Sequence, residues 1–501
     1  MQKFSISLDA RGKMWYAVIN QAHKEEPPVK QNEKMLTRAL LLLLSALLSF
    51  GCLFGCDRPP VEQTPDPVPD DGTQTEPPQN EPPQNEPPQN EPPVQEPPED
   101  EPEVDMTYYF QDTISHEVLC NYLSRAVTIS LEGSFVSNSS NSSHVRKFIL
   151  NTGAKYICRA ATCWSPGPED YDTYGGQTAF IKSVHERDPE VVFEACVFEC
   201  ISGKVNEIPI PAWVFEAFDL PVEERNFSFE AMCYSDGSFK DQWGAGTAVP
   251  DITKQETRLF FYYRACQYIL LGYEGLHMGQ IHLIGRDDKN WENWTDLLAK
   301  IREFAYDHAR RGFVFINAHT HGLVGSDDVL LFDFHMYPSR PMADGSQEPH
   351  FPTEDDPQRA TFQAGHSDSI YGKSKGGMTY SGWECETLPY LVELDNFGDD
   401  SASLHVPKPN DMRTWGMDEI TWYANQPDWY RAEFLEYAYD WVMNEAEGEG
   451  FFAMPGQRVA RIYDEDGNVL QWQYYAYDPK NHKDGCGDEA VIKEIWASDE
   501  K

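Results

Sequence analysis

The sequence has few basic residues. Its 501 residues include 40 Lys and Arg against 82 Asp and Glu, which gives a formal net charge of −42. A protein that binds the phosphate backbone of nucleic acid, or an anionic lipid surface, needs a basic face. We therefore expect no nucleic-acid partner, and we interpret the acidic excess as surface solvation.

Two common signatures are also missing. No Cys-x-x-Cys pair occurs, so a zinc ribbon is not expected, and no Gly-x-Gly-x-x-Gly follows an apolar run, which argues against a dinucleotide-binding sheet. Nine of the 11 cysteines lie beyond residue 56, an odd number, and several sit inside apolar runs such as VVFEACVFECI. They are typical of small buried residues rather than of a disulfide framework.

The apolar run near the N-terminus is shorter than the roughly 20 residues of a membrane-spanning helix. In MLTRALLLLLSALLSFGCLFGC, residues 35–56, one arginine precedes the run and two Gly-Cys pairs follow it. This pattern resembles a bacterial lipoprotein signal peptide, which predicts lipidation at Cys56, with Cys52 as the alternative. We expect an exported protein held at a membrane by its lipid alone, at the outer membrane, cell surface or periplasmic side. A single spanning helix is the other interpretation, and residues 1–34 form a polar leader before an expected natural start at Met35.

Residues 57–105 contain a five-residue EPPQN repeat and many acidic side chains. Proline fixes the backbone near polyproline II and removes hydrogen-bond donors, and the segment has no apolar face to bury. We predict an extended, disordered stalk that holds the following domain away from its anchor.

From residue 106 to about 457 the chain alternates apolar strand-like runs with amphipathic helical runs. This alternation favours an α/β fold with a parallel sheet, and eight strands over this length match a (β/α)8 TIM barrel; a doubly wound open sheet is the alternative. The expected C-terminal extension, 458–501, has a hairpin signal at Asp466-Gly467 and a short helix. The predicted strands cover residues 155–164, 190–201, 275–285, 312–322, 329–338, 366–372, 388–398 and 450–456.

Polar residues stand at the ends of several of these runs, where a barrel places its active site. In FVFINAHTHG the alternation of a strand puts Asn317, His319 and His321 on one face. In VLLFDFHMYP it groups Asp333 with His335, and we expect His319 to lie within reach of one of them. The full set predicted to bind substrate comprises Asn317, His319, His335, Gln280, His282, Trp164, Trp383 and Trp422, the tryptophans because sugar rings stack on aromatic rings.

Glycoside hydrolysis needs two carboxyl groups, one as acid and one as base or nucleophile. The candidates are Glu199, Asp333, Glu393, Asp395 and Glu419. Glu419 is the least certain in structure, because Asp418 could cap a helix and place Glu419 in its first turn.

Several of these segments, YEGLHMGQIHL, HARRGFVFINAHTHG, LLFDFHMYP, LPYLVELDN and DEITWYANQ, resemble a group of exported bacterial proteins regarded as TIM-barrel, glycoside-hydrolase-like. The resemblance covers about residues 106–460 and implies a carbohydrate-active barrel. It departs from the large retaining-glycosidase clan with an Asn-Glu pair after the fourth strand, since Asn317-Ala318-His319 stands there. The acid is therefore unassigned, and Glu393 or Asp395 on the seventh strand better matches a nucleophile.

Two other functions stay open. A metal-dependent hydrolase of the amidohydrolase type would use His319 and His321, although that pair normally closes the first barrel strand. A glycan-binding lipoprotein without catalysis is the third hypothesis. For the favoured glycosidase we expect a carbohydrate substrate, no cofactor and no metal.

Overall fold

The computed structural model describes residues 7–8, 14–15, 106–131, 139–168, 170, 174–343, 347–348, 350–363, 374–396, 414–464, 468–477 and 486–499. The chain divides into two compact units, 1–96 and 97–501. In the first, strand β1 (Ser7–Leu8) pairs antiparallel with β2 (Met14–Trp15). The predicted signal peptide, Cys52, Cys56 and the EPPQN repeat lie outside the described residues. Among the described helices, none combines the length and the apolar composition that a membrane crossing requires.

The second unit is an α/β fold built on a ten-stranded sheet with the order β16-β15-β10-β9-β8-β5-β4-β3-β17-β18. Every neighbouring pair is parallel except β17 with β18, which form a hairpin. The strands are β3 (Ala126–Ile129), β4 (Tyr156–Ala161), β5 (Val192–Cys196), β8 (Gly275–His277), β9 (Phe315–Ala318), β10 (Phe334–Pro338), β15 (Tyr390–Glu393), β16 (Gly450–Phe452), β17 (Met454–Tyr463) and β18 (Val469–Tyr475).

The two outer parts of this sheet are joined by one residue. Only Ala453 separates β16, which pairs with β15, from β17, which pairs with β3. The Ala453 amide donates to Val392 O at 2.8 Å, and Ser130 N donates to Gln457 O at 2.8 Å. One extended segment thus hydrogen-bonds to β15 along its first part and to β3 along its second.

Helices lie in most of the crossover connections that parallel pairing needs, although residues 319–333, between β9 and β10, contain none. They are α1 (His116–Leu123), α2 (Ser139–Thr152), α3 (Tyr174–His185), α4 (Ala212–Glu216), α5 (Phe229–Met232), α6 (Gln255–Leu270), α7 (Ile281–Ile284), α8 (Glu292–His308), α9 (Glu419–Ala424), α10 (Asp428–Asp440) and α11 (Glu489–Ser498), with 3₁₀ turns at Gly203–Glu207 and Lys289–Trp291 and a π turn at Trp441–Glu445. Short antiparallel pairs join β6 (Ile201–Ser202) to β7 (Thr247–Ala248), β11 (Met342–Ala343) to β12 (Ala360–Thr361) and β13 (Gly377–Met378) to β14 (Glu384–Cys385).

The sheet has two buried faces. On one, Phe315, Phe334, Leu391 and Phe451 form an apolar cluster that also includes α1 residues such as Leu119. On the other, the alternate strand residues pack against the connecting helices in a second, larger cluster. We call these the inner and outer faces. Because apolar residues occupy both faces, the strands are mostly hydrophobic, with buried polar residues such as Glu194, Asn317 and Glu393 toward their carboxyl ends.

Most predicted strands and long helices are found, with shorter bounds. The run at 275–285 is a strand only to His277, after which α7 begins. Strand β3 was not predicted, and residues 366–372 lie outside the described parts of the chain. The C-terminal hairpin and helix are present as β17, β18 and α11, while Asp466-Gly467 is outside the described residues.

Candidate active site

A pocket of about 670 Å³ opens at the carboxyl ends of the parallel strands. Residues in or just after β3, β4, β5, β8, β9, β10, β15 and β17 all line it. Converging loops at this end of a parallel sheet are where ligands bind in such folds. Predicted residues on its wall are Glu199, Gln280, His319, Asp395 and Trp164.

Glu199 is a buried carboxyl group on the pocket wall, 2% exposed. Its Oε1 accepts from Gln280 Nε2 at 2.8 Å and its Oε2 from Gln280 N at 3.1 Å. Burial raises the pKa of Glu199, and these hydrogen bonds only partly oppose that rise. A carboxyl group in this setting favours its protonated form and can donate a proton.

Asp395 also lines the pocket, in a different electrostatic setting. Its side chain is 26% exposed, and Arg340 Nη1 lies 3.3 Å from its Oδ2. Burial pushes the pKa of Asp395 up, but Arg340, Arg159 and Arg458 outweigh it, so the pKa is lowered. Asp395 is therefore the ionised carboxylate of the pocket.

Glu419 contacts the backbone of Asp395 and the side chain of Arg340. Asp418 caps α9, since its Oδ1 accepts from Thr421 N at 2.8 Å, and Glu419 is the first residue of that helix. Glu419 Oε2 accepts from Asp395 N at 3.1 Å and Oε1 from Arg340 Nη1 at 2.6 Å. Burial raises the pKa of Glu419 to about 7, and the residue is fully buried, so we assign it to positioning.

Glu393 also lies beneath the pocket rather than on its wall. It is fully buried and accepts from Arg159 Nε at 2.6 Å, with Arg458 Nη1 at 3.4 Å. Burial raises the pKa of Glu393, with the two arginines opposing that rise. Both carboxylate oxygens of Glu393 therefore contact arginine side chains, and Glu393 is not among the residues that line the pocket.

Asn317 belongs to a buried chain of hydrogen bonds below the pocket floor. Its Oδ1 pairs with His277 Nδ1 at 2.7 Å, and its Nδ2 donates to Glu194 Oε2 at 2.6 Å. Glu194 also accepts from Tyr156 Oη at 2.9 Å. Asn317 therefore contacts His277, which lines the pocket, and is not itself a lining residue.

Aromatic rings form one side of the pocket. The Trp164 ring centroid lies 4.9 Å from that of Phe198 and 5.5 Å from that of Trp243. All three line the cavity, and Trp164 is 38% exposed. Such a wall offers flat apolar area beside the two carboxyl groups.

Asp333 and His335 lie on the other side of the sheet, contrary to the expectation that they meet His319 in a pocket. Their neighbours in sequence, Phe334 and Met336, occupy the inner face, so strand alternation directs Asp333 and His335 outward. Asp333 Oδ2 accepts from Ile316 N at 2.7 Å and lies 3.5 Å from Arg302 Nη2 of α8. These contacts place Asp333 in the packing between sheet and helix.

Four more predicted residues lie away from the cavity. His282 is in α7 and pairs with Thr320 Oγ1 at 3.0 Å, because the strand ends at His277. Trp422 is buried in α9 and donates to Gln358 O. Trp383 Nε1 donates to Ile114 O beside α1. His321 is exposed and lies near Tyr337, with ring centroids 5.8 Å apart.

Three arginines at the pocket were not predicted. Cys158 is on the inner face, so strand alternation would place the next residue, Arg159, on the outer face. Arg159 instead lines the cavity, because β4 has a register shift and Arg159 has a positive φ of 57°. Arg340 has a φ of 46° and follows β10, and Arg458 lies in β17. For Arg159 the sequence did contain one signal, which is a lone arginine inside the apolar run KYICRAATCW.

No protein-family model matches the chain, and no curated protein matches it. Among solved structures, similarity is found to the native debranching enzyme of Nostoc punctiforme (12% identity, 43% of this chain and 52% of that one, TM-score 0.26) and to the same enzyme soaked with acarbose (11%, 75% and 81%, 0.34). A third is a GH27 β-L-arabinopyranosidase of Geobacillus stearothermophilus (9%, 43% and 54%, 0.26). The first and third are matched over about half of their own length. These neighbours are glycoside hydrolases. Their TM-scores are too low to transfer the chemistry of their active sites to this pocket.

Proposed function

We propose that the protein is a glycoside hydrolase acting on a poly- or oligosaccharide, with Glu199 as general acid and Asp395 as base or nucleophile. One observation carries the proposal: two carboxyl groups line one pocket in settings that move their pKa values apart. Opposed environments of this kind separate acid and base roles in glycosidases.

The proposed roles follow from the protonation states. Protonated Glu199 donates to the glycosidic oxygen as the bond to the anomeric carbon breaks. Ionised Asp395 either removes a proton from an attacking water or attacks the anomeric carbon itself. Arg340 and Glu419 hold the Asp395 carboxylate and its backbone amide in place, which fixes the direction of attack.

The aromatic wall supports a sugar as substrate. A pyranose ring has an apolar face that stacks on indole, and its hydroxyls need polar partners nearby. Trp164 and Trp243 supply the first, and Gln280, His277 and His319 supply the second.

We infer further that the eight parallel strands form a closed (β/α)8 barrel in residues 106–457. The pairing of one segment with β15 through β16 and with β3 through β17 supports closure. Glu199 follows β5 and Asp395 follows β15, so three strands separate them in each direction around such a ring. Opposite walls leave room for a water, which favours the inverting route.

The lipid anchor and acidic stalk complete the proposal as sequence-based expectations. A lipoprotein carrying this domain on an extended proline-rich spacer would meet polymers outside the cell. Radiolabelled palmitate incorporation in the native bacterium, lost on Cys56→Ser, would support this part; incorporation lost only on Cys52→Ser would move the lipid to the alternative cysteine.

The enzymatic proposal is tested by incubating purified protein with a panel of bacterial, plant and host glycans and measuring new reducing ends. We expect at least one glycan to be cleaved, with activity lost in Glu199→Gln and Asp395→Asn and retained in the exposed control Glu216→Gln. Cleavage that survives both substitutions would overturn the assignment of the pair. Binding without cleavage across the panel would favour a noncatalytic glycan-binding protein.

The metal-dependent alternative gives a different result in the same assay. It requires that His319→Ala and His321→Ala each abolish hydrolysis together with a bound metal. Activity of His321→Ala at the wild-type level would exclude that mechanism.

A further inference from the structure

A second cluster of reactive side chains lies beside α1 and the loop before β16. His116 and Cys120 stand four residues apart on α1, so both point to one side of the helix. Glu449 is the residue just before β16. Their ligand atoms all lie within 4.8 Å of one another, and among the described residues this is the one such group of three.

The distances inside the cluster suit a tetrahedral metal. His116 Nε2 and Cys120 Sγ are 3.6 Å apart, and Cys120 Sγ and Glu449 Oε1 are 3.4 Å apart. Zinc bound at about 2.0–2.3 Å separates neighbouring ligand atoms by about 3.3–3.7 Å. The His116 Nε2 to Glu449 Oε2 distance of 2.7 Å is that of a hydrogen bond and would open by roughly 0.6–1 Å on the same geometry.

We propose that His116, Cys120 and Glu449 bind a zinc ion that clamps α1 to the segment leading into β16. Imidazole, thiolate and carboxylate are all ordinary zinc ligands, and three protein ligands leave a fourth position for water. The proposal stands apart from the hydrolase proposal, because none of the three residues lines the pocket.

The cluster is accessible to an ion, and binding has to displace the proton of Cys120. All three residues are half-buried, so an ion can enter while part of the site is shielded from water. Burial, followed by the charge of Glu449, raises the pKa of the Cys120 thiol, which is therefore protonated in the metal-free protein. Zinc binding forms a Zn–S bond, breaks the S–H bond and releases one proton to solvent.

The position of the cluster explains what the metal would do. His116 and Glu449 are 333 residues apart in sequence, yet they meet in the fold. A bond between them ties the start of the domain to its closing strand, and a ligand that binds only the folded state stabilises that state. Trp383 lies against His116, with ring centroids 5.1 Å apart, and helps to fix the imidazole.

The test uses the purified full-length protein, stripped of metal, and titrates it first with Co²⁺ and then with Zn²⁺. We expect a thiolate-to-cobalt absorption band that saturates at one equivalent and is displaced by zinc. Cys120→Ser should abolish this band, while His116→Ala and Glu449→Gln should weaken zinc binding at least tenfold, an effect measured by competition with a chromophoric chelator. Cys486→Ser, at another half-buried cysteine, is the matched control and should keep the band.

Thermal unfolding keeps the test independent of cobalt spectroscopy. Excess zinc should raise the Tm of the wild type and of Cys486→Ser and leave the Tm of Cys120→Ser unchanged, with circular dichroism confirming that the variant is folded. A wild-type protein without the band, or a band that persists in Cys120→Ser, would overturn the proposal. Equal zinc affinity in the wild type and in His116→Ala would do so as well.

Discussion

The two halves of the inner face of the sheet differ sharply. Toward the start of the strands the interior is apolar, with Phe315, Phe334 and Phe451 packed against α1. Toward their carboxyl ends it contains Glu194, Glu393, Asn317 and the guanidinium of Arg159, nearly all of them fully buried. The same strands therefore carry an ordinary core at one end and a layer of paired charges at the other.

This difference separates stability from function. The apolar half gains stability from burial, at roughly 25 cal/mol per Å² of apolar surface. Buried ion pairs seldom repay the cost of desolvating both partners, and hydrophobic replacements are often as stable. The two arginines that pair with Glu393 beneath the pocket, Arg159 and Arg458, also lower the pKa of Asp395, so these buried charges act on the pocket carboxylate.

The largest expected effect is on catalysis. Removing the proposed general acid in Glu199→Gln should lower kcat by about 10²–10⁴-fold on a natural glycoside. On an aryl glycoside with an activated leaving group the loss should be much smaller, because such a group departs without protonation. Asp395→Asn should fail on both substrates. Initial rates on the two substrate types measure this contrast, and equal losses for Glu199→Gln on both would refute its role as acid.

The next effect is on stability in the charged half. Arg159→Met leaves Glu393 with only the longer contact to Arg458, and leaving a buried charge short of its partner costs about 3–5 kcal/mol. Urea unfolding should show this loss, while Met at the exposed Arg187 should change the free energy of unfolding by less than about 0.5 kcal/mol. The double variant Arg159→Met with Glu393→Leu should regain part of the loss. A double variant less stable than the single one would mean that the pair itself stabilises the fold.

A pH effect comes from the outer face. Burial, reinforced by His321, lowers the pKa of His335 to about 3. The unfolded state binds a proton near pH 6.5 and the folded state does not, so this contribution to stability is present above about pH 6.5 and is lost as the pH falls toward 3, by up to about 1.4 kcal/mol per pH unit. His335→Gln should show a shallower decline of the free energy of unfolding between pH 6 and pH 4, and Gln at the exposed His308 should follow the wild type. Parallel curves for all three proteins would contradict the prediction.

The smallest effect concerns the aromatic wall. Trp164→Ala removes one stacking surface worth about 0.5–1.5 kcal/mol, so KM should rise by about two- to tenfold with kcat nearly unchanged. The exposed Trp472 of β18 is the matched control, since it does not line the pocket. A large drop in kcat with unchanged KM would assign Trp164 to the transition state rather than to binding.

The strand alternation of the sequence was a reliable guide within β9 and an incomplete one in β10. In β9, alternation places Asn317 with the inner residue Phe315. In β10, Asp333 and His335 do share a face, but both faces of the strand are buried, so alternation alone could not tell which one meets the interior. The apolar inner residues Phe334 and Met336 settle that question only in the folded sheet.

Local irregularities account for most of the remaining differences. The left-handed conformation of Arg159 and the register shift between Ile157 and Ala161 are visible in the folded backbone, and no local sequence pattern predicted them. His282 lies in α7 rather than in the predicted strand, because the chain turns into α7 after Gly279, whose φ is 73°. The burial that raises the pKa of Glu199 and the arginines that lower the pKa of Asp395 come from other segments of the chain, so only the residue types were visible in the sequence.

The sequence by itself determined the alternation of strands and helices, the excess of acidic residues, and carboxyl groups at strand ends, because these depend on periodicity and composition. The tertiary structure alone decided which of five carboxyl groups share a cavity, since burial and neighbouring charge are properties of the folded chain. It also brought together His116, Cys120 and Glu449, for which proximity in space is the whole signal.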